Sequence, residues 1–176
     1  MIYQLLEPDH PLVHMEMSGE SVPEDKTQFS KDMAETMRHW GGIGLSANQV
    51  GFPYRMFVMG DKDNYMNCWN PRIVVESDNQ IPIEEGCLTY PGLFVKIFRP
   101  DWIEVEFEDE NDETHKDTLE GLMCRVFQHE MDHMNGVDFT SRASRMNLNI
   151  AKRKLKRGKL KLKRRTDGKD MLAQAS

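Results

Sequence analysis

The sequence predicts an α+β fold in which antiparallel or mixed β-sheets pack around a central helix. Two patterns favour this class. Short runs rich in β-branched and aromatic residues are separated by Pro, Gly, Asn and Asp, and two longer segments carry apolar residues at helical spacing. With 176 residues, 39% of them hydrophobic, the chain has the size and composition of one domain with a packed interior.

The first elements follow in a simple order. Over residues 27–40, apolar residues recur every three or four positions, which predicts a helix that ends at the Gly41-Gly42 break. Four β-rich runs then predict strands joined by turns, at residues 56–59, 72–76, 94–98 and 102–108.

The most informative segment is a second helix, predicted over residues 118–134. Its apolar residues recur at helical spacing, Asp117 and Glu120 are placed like an N-terminal cap and its partner, and an Asn-Gly pair follows as a stop signal. Near its C-terminal end the chain reads HEMDH, from His129 to His133. Residues four apart lie on one face of a helix, so both histidines can bind one metal ion, with a glutamate beside it.

A catalytic metal site of this kind uses a third protein ligand and leaves one position open for water. After His133 the sequence holds no further His, Cys or Glu, so we look for the third ligand upstream and find Cys87. A thiolate is a strong ligand for a borderline-soft cation, although a cysteine taken alone is more often a small buried hydrophobe. At this stage another metallohydrolase, such as a peptidase, fits the same residues.

Three segments together resemble the peptide deformylase family. Residues 42–49 (GIGLSANQ) are similar to its first motif, residues 85–89 (EGCLT) to its second and residues 128–133 (QHEMDH) to its third. The chain departs from the family at Ser46, where alanine is common, and at Thr89, where serine is common. The resemblance covers most of the chain and implies the fold of that family, built around the predicted helix.

The resemblance also implies an activity, namely removal of the N-formyl group from the initiator methionine of new polypeptides with release of formate. Cys87, His129 and His133 would hold one divalent metal ion, and the family implies Fe²⁺, with Zn²⁺, Ni²⁺ or Co²⁺ able to substitute. Glu130 would carry the proton of the attacking water to the departing amine.

Further roles follow from the matched positions. The side-chain amide of Gln49 and the backbone N–H of Leu88 would stabilise the oxyanion. Glu85 and Gln128 would orient the ligands, because metal sites need groups that hold the ligating side chains in place.

Substrate selection is expected from an apolar pocket beside the metal, because a methionine side chain is flexible, polarizable and uncharged. Arg125 would cover this pocket with its stem while its charged head stays in water. Glycines in the lining would allow an extended peptide backbone to approach. Each of these positions also suits an ordinary core or surface residue. The predicted lining is Ile43, Gly44, Ile83, Gly86, Leu122, Arg125 and Val126.

Charge divides the chain, although the net charge is only −6. Residues 1–140, the expected catalytic domain, are strongly acidic, whereas residues 141–176 form a basic C-terminal extension that we expect to be partly helical. Leu148, Leu155 and Leu162 lie seven apart, which predicts a helix docked along one thin stripe. The extension can fold back on the acidic body, or its segment 147–165 can contact ribosomal RNA. A non-enzymatic RNA-binding module would depend on this segment alone.

The cellular setting is predicted from what the sequence lacks. The start of the chain has no basic region followed by an apolar run, and no segment approaches the roughly 20 apolar residues of a membrane span. Three cysteines without a small-disulfide pattern indicate a reducing compartment. We therefore expect a cytoplasmic protein that has no membrane partner and acts on N-formylmethionyl nascent peptides.

Overall fold

The computed structural model describes the backbone of residues 1–61 and 64–173, and the side chains of these residues up to residue 160. Within these residues the chain forms seven strands and three α-helices. In chain order they are α1 (Lys26–His39), β1 (Gly44–Ser46), β2 (Met56–Gly60), β3 (Tyr65–Glu76), β4 (Gln80–Cys87), β5 (Tyr90–Pro100), β6 (Trp102–Glu108), β7 (Thr114–Glu120), α2 (Gly121–Met134) and α3 (Arg145–Ala173).

The strands form two separate sheets. One has five strands in the order β1-β2-β3-β6-β7, and the other is the β4–β5 hairpin. All of these pairings are antiparallel, so no parallel pair occurs among the described strands. The predicted α+β class is confirmed.

Helices α1 and α2 pack on opposite faces of the five-stranded sheet, because successive side chains of β2 point to opposite sides. Phe57 and Met59 join the core cluster formed with α2, and the Phe57 ring meets that of Phe127 edge-on at 5.0 Å between centroids. Met56 and Val58 join the cluster formed with α1 instead. Helix α2 is thus enclosed by the sheet on one side.

Helix α2 begins at Gly121, three residues later than predicted. Residues 118–120 belong to β7, where Leu119 pairs with Ile103 of β6. An apolar residue at position 119 suits the inner face of a strand as well as that of a helix, which explains the error. The predicted cap is also wrong, because Glu120 precedes the helix without a side-chain capping bond. Gly121 has a φ of +59°, a left-handed conformation that turns the chain from strand to helix.

The other predicted elements lie close to those observed. Helix α1 begins one residue before the predicted range, and the side chain of Asp25 accepts a hydrogen bond from the Gln28 N–H at 2.8 Å as its cap. The four predicted strands fall within β2, β3, β5 and β6. Strands β1, β4 and β7 were not predicted, because β1 is very short and the other two are rich in charged and polar residues.

The first half of α3 packs on β5. Leu148, Ala151 and Leu155 contact a small cluster that contains Val95 and Ile97 of β5. The predicted stripe is therefore present at Leu148 and Leu155, while the side chain of Leu162 lies outside the described residues. None of the described helices combines the length and apolar composition that a membrane span requires.

Candidate metal centre

Three side chains that are distant in sequence converge between α2 and the β4–β5 hairpin. The ligand atoms of Cys87, His129 and His133 all lie within 4.8 Å of one another, and Cys87 Sγ is 3.3 Å from His133 Nε2. The histidines are buried one turn apart on α2, and Cys87 is half-buried at the end of β4. The structure thus brings together the three ligands predicted from the sequence.

This donor set suits a divalent transition metal, since one sulfur and two imidazole nitrogens match known zinc and iron(II) chemistry. Burial and then the neighbouring His129 lower the pKa of His133 well below its usual value, which keeps this imidazole neutral, as a ligand must be. Glu85 Oε2 lies 3.1 Å from His129 Nδ1 and leaves the other ring nitrogen for a metal. The residues therefore fit a single metal ion.

A buried network of charges holds Glu85 in place. Arg99 donates to both carboxylate oxygens of Glu85, at 2.7 and 2.9 Å, and Arg125 donates to one of them at 2.9 Å. Burial favours a raised pKa for Glu85, but hydrogen bonds from His129 and Arg99 outweigh it and lower the pKa to about 2. Glu85 is therefore a carboxylate at neutral pH, and His129 must donate its Nδ1–H to it.

The network extends from Arg99 along α2 to the segment before α3. Arg99 Nη1 lies 2.8 Å from Asp132 Oδ2, and Asp132 Oδ1 accepts a hydrogen bond from Arg142 Nη2 at 2.6 Å. Neither Arg99 nor Asp132 was predicted from the sequence to have a role at this site. One signal was available for Arg99, because it follows Val95 and Ile97 at alternate positions of β5 and so faces inward with them.

Glu130 is buried beside the three ligands. Burial raises its pKa, against the opposing effects of the His129 charge and of the Ser46 hydroxyl, which donates to Glu130 Oε2 at 2.6 Å. A carboxylate with a raised pKa is suited to proton transfer near neutral pH. Gly44 lies against it, since a Cβ at Gly44 would be 2.3 Å from Glu130 Oε1. The approach of β1 to α2 therefore requires glycine at this position.

The side chain of Gln49 is fixed at both ends next to Cys87. Its Oε1 accepts a hydrogen bond from the Ser46 N–H at 2.8 Å, and its Nε2 donates to Thr89 Oγ1 at 3.0 Å and lies 3.4 Å from Cys87 Sγ. Thr89 therefore positions the amide, a role that was not predicted from the sequence. Leu88, the next residue after Cys87, borders the cavity described below.

A cavity of about 570 Å³ opens beside Cys87 and His129, within the range of small-molecule sites. Ile43 and Leu122 are 48% and 60% exposed, which places these residues at its rim. The cavity is bordered by every residue of the predicted lining, namely Ile43, Gly44, Ile83, Gly86, Leu122, Arg125 and Val126.

Two predicted details are wrong. The head of Arg125 is buried rather than in water, because it neutralises Glu85 and donates to the carbonyl oxygen of Ile81 at 2.6 Å. Gln128 does not contact a ligand; its Nε2 donates at 3.0 Å to the carbonyl oxygen of Pro100. One residue along a helix is a rotation of about 100°, which turns Gln128 away from the direction of His129.

Comparisons with known proteins agree with this geometry. Residues 3–149 match the family model described as polypeptide deformylase. The peptide deformylase of Thermotoga maritima is 43% identical over 128 residues, which are 73% of this chain and 75% of that protein. The peptide deformylase of Psychrobacter cryohalolentis is 38% identical over 141 residues, which are 78% of this chain and 76% of the relative.

Solved structures give the same result. The crystal structure of the Thermotoga maritima enzyme matches with a TM-score of 0.78 at 35% identity and covers 82% of this chain and 99% of its own. A peptide deformylase from Synechococcus elongatus, in complex with actinonin, matches with a TM-score of 0.80 at 32% identity, covering 86% and 85%. This chain therefore belongs to the peptide deformylase family and is a metal-dependent hydrolase that removes the N-formyl group from nascent peptides.

Proposed function

We propose that this enzyme holds Fe²⁺ on Cys87, His129 and His133, and that Zn²⁺, Ni²⁺ or Co²⁺ can substitute. A bound divalent cation would supply Lewis acidity to the formyl carbonyl and increase the acidity of the attacking water. The single observation that carries the proposal is the convergence of one sulfur and two imidazoles within 4.8 Å. The described cysteines are free, which agrees with a Cys87 thiolate and with action in the cytoplasm.

Glu130 acts as the base and then as the acid. It accepts a proton from water as the water oxygen attacks the formyl carbon, and it returns the proton to the amine nitrogen as the C–N bond breaks. The products are formate and a free amino terminus. The proposal is supported by the burial of Glu130 and by its raised pKa, while the Ser46 hydroxyl holds one of its oxygens.

Gln49 and Leu88 stabilise the oxyanion that forms on the formyl oxygen. The amide of Gln49 donates from Nε2, and the Leu88 backbone N–H donates beside it. Each such donor is worth about 3 kcal/mol in well-studied serine hydrolases. The proposal is supported by the bonds to Ser46 and Thr89, which hold the Gln49 amide next to Cys87.

The methionine side chain of the substrate occupies the apolar cavity, against Ile83, Leu122 and Val126. The peptide backbone runs extended between Gly44 of β1 and Gly86 of β4. In the described sheets, β1 pairs only with β2 and β4 only with β5, so both strands have an open edge that can bind an extended chain.

The proposal is tested by anaerobic purification, metal analysis and a formate-release assay on formyl-Met-Ala-Ser. We expect one iron per chain and release of formate that actinonin, the molecule bound in the Synechococcus elongatus relative, suppresses. A preparation with a full complement of metal that releases no formate would contradict it.

The proposed role of Cys87 as the third ligand is tested separately by mutation. The Cys87→Ala variant is expected to lose both metal and formate release. The Cys68→Ala variant, which changes a buried cysteine of the sheet core, is the control and should keep both. If Cys87→Ala retains stoichiometric metal, Cys87 is not a ligand and the proposed donor set is wrong.

We further propose that residues 1–140 form the catalytic domain and that the basic extension, 141–176, contacts ribosomal RNA through segment 147–165. Since Leu148, Ala151 and Leu155 pack on the body, the test removes only residues 161–176. Co-sedimentation with ribosomes at low salt should weaken, while hydrolysis of formyl-Met-Ala-Ser stays the same. Unchanged co-sedimentation would favour the alternative in which the extension only folds back on the acidic body. The ion pair between Lys154 of the extension and Glu84 of the body, at 3.0 Å, is a contact of this kind.

A further inference from the structure

A second groove, of about 510 Å³, lies between the β4–β5 hairpin and the first half of α3. We call it the outer groove. The hairpin contributes Glu84, Gly92 and Phe94, and α3 contributes Lys154, Leu155 and Lys159.

The outer groove continues the catalytic cavity. Glu84, Gly92 and Phe94 border both spaces. The Phe94 ring packs directly on the backbone of Gly86, because an added Cβ at Gly86 would lie 2.7 Å from the ring. Phe94 is nevertheless 58% exposed. Gly86 precedes the metal ligand Cys87, so a peptide that leaves the metal along this strand meets the open face of Phe94 and then α3.

The α3 wall of the outer groove packs against the hairpin through one apolar stripe. Leu155 belongs to the cluster on β5, and its Cδ1 would lie 3.2 Å from a Cβ placed on Gly92. Asn147 at the start of α3 donates to the carbonyl oxygen of Lys96 at 3.1 Å. The groove is therefore formed by direct contacts between α3 and the hairpin in the folded protein.

The outer groove differs from the catalytic cavity in charge. Its floor is apolar at Phe94 and Leu155, but two ammonium groups border it against one carboxylate. Lys154 pairs with Glu84, while Lys159 has no ion-pair partner among the described side chains. The groove thus offers an apolar surface and an uncompensated positive charge.

We propose that the outer groove binds the residues of the nascent polypeptide beyond its first three, and that it favours acidic side chains there. This rests on the proposed function, because the same substrate is held at its formyl end by the metal centre. A cavity of this size accommodates a ligand of about tripeptide size, so later residues lie beyond its rim, and Phe94 is the part of that rim that also borders the outer groove. An exposed ion pair there changes binding by about threefold.

The test compares kcat/KM for two formylated heptapeptides. Both begin formyl-Met-Ala-Ser, one continues Asp-Ala-Asp-Ala and the other Lys-Ala-Lys-Ala. At low salt we expect the acidic peptide to be preferred by about threefold or more, and the preference should shrink in high salt because screening weakens exposed pairs. The tripeptide formyl-Met-Ala-Ser is the internal reference.

Two charge reversals on α3 locate the effect. Lys159→Glu should abolish or invert the preference. Arg153→Glu makes the same change in net charge, but Arg153 lies about 200° around the helix from Ala151 of the groove face and should keep the preference.

Equal kcat/KM values for the two heptapeptides, with normal turnover of the tripeptide, would overturn this inference and leave the proposed function standing. An equal loss of the preference for the acidic heptapeptide in the Lys159→Glu and Arg153→Glu variants would also overturn it, because such a loss would reflect the general charge of α3. Failure to hydrolyse the tripeptide would overturn the proposed function itself, and this inference with it.

Discussion

Helices α2 and α3 are both rich in polar and charged residues, yet they place them in opposite environments. Every residue of α2 from Cys124 to Met134 is buried, and Glu130 and Asp132 each have a defined partner. In the described part of α3, one stripe packs on β5 and most basic side chains lie in solvent. A buried charge must be paired, which fixes its position, whereas a solvated one need not be. Of these two helices, only α2 can therefore hold groups in the defined geometry that catalysis requires.

The largest expected effect comes from changing one charge of α2. Glu130→Gln keeps the size of the side chain but removes the proposed proton acceptor, so formate release should fall by about 10²–10⁴-fold. Metal content should stay at the parent value, because Glu130 is not among the three proposed ligands. Initial rates on formyl-Met-Ala-Ser and metal analysis check both statements.

The matched change on α3 is Lys156→Gln, which alters an exposed side chain outside the catalytic cavity. Its rate on the tripeptide should equal that of the parent. A Glu130→Gln variant that releases formate at the parent rate would show that the base has been wrongly assigned.

A second prediction compares a buried ion pair with an exposed one. Arg99→Met removes a guanidinium whose side chain is only 6% exposed, and leaves Glu85 and Asp132 with one arginine partner each. We expect a loss of about 3 kcal/mol in the free energy of unfolding, measured by urea denaturation. Metal affinity should also fall by about 10–100-fold, because Glu85 orients His129.

The exposed counterpart is Arg72, which pairs with Glu106 at 2.7 Å and has a side chain that is 65% exposed. Arg72→Met should cost less than about 1 kcal/mol and leave metal affinity unchanged. If the two variants lose the same stability, burial does not distinguish the two kinds of charge in this protein.

The same contrast explains how much could be predicted from the sequence. The stripe of α3 and the two histidines of α2 are periodic patterns within one element, and periodicity predicts them. Cys87 was identified because a metal requires a third ligand and because its motif resembles a family. The pairing of Arg99 with Glu85 and Asp132 depends on how the β4–β5 hairpin approaches α2, and no local pattern encodes that approach.

The beginning of α2 could not be predicted from a local pattern either. Leu119 satisfies both the strand and the helix pattern, and only its pairing with Ile103 in the folded sheet decides between them. Ser46 was noticed as a departure from the family, but its contact with Glu130 depends on the packing of β1 against α2. Contacts between elements were thus the common limit.

The smallest expected effects come from one glycine in each helix. Gly121 at the start of α2 and Gly158 within α3 both have open space around the position of a Cβ, so sterics alone would tolerate alanine at either site. Gly121 has a φ of +59°, which disfavours any residue with a Cβ, and Gly121→Ala should destabilise the protein by about 1 kcal/mol. Gly158 is helical, and Gly158→Ala should stabilise α3 by up to about 1 kcal/mol.

The two glycine variants should also differ in where their effects are detected. Since α2 lies in the core, the loss in Gly121→Ala should lower the global free energy of unfolding in urea. Helix α3 is attached by one stripe and can open locally, so the gain in Gly158→Ala should slow amide hydrogen exchange within α3 and barely change the urea midpoint. A shift of the urea midpoint by Gly158→Ala as large as that by Gly121→Ala would mean that α3 unfolds together with the core, and the two helices would then differ in exposure but not in cooperativity.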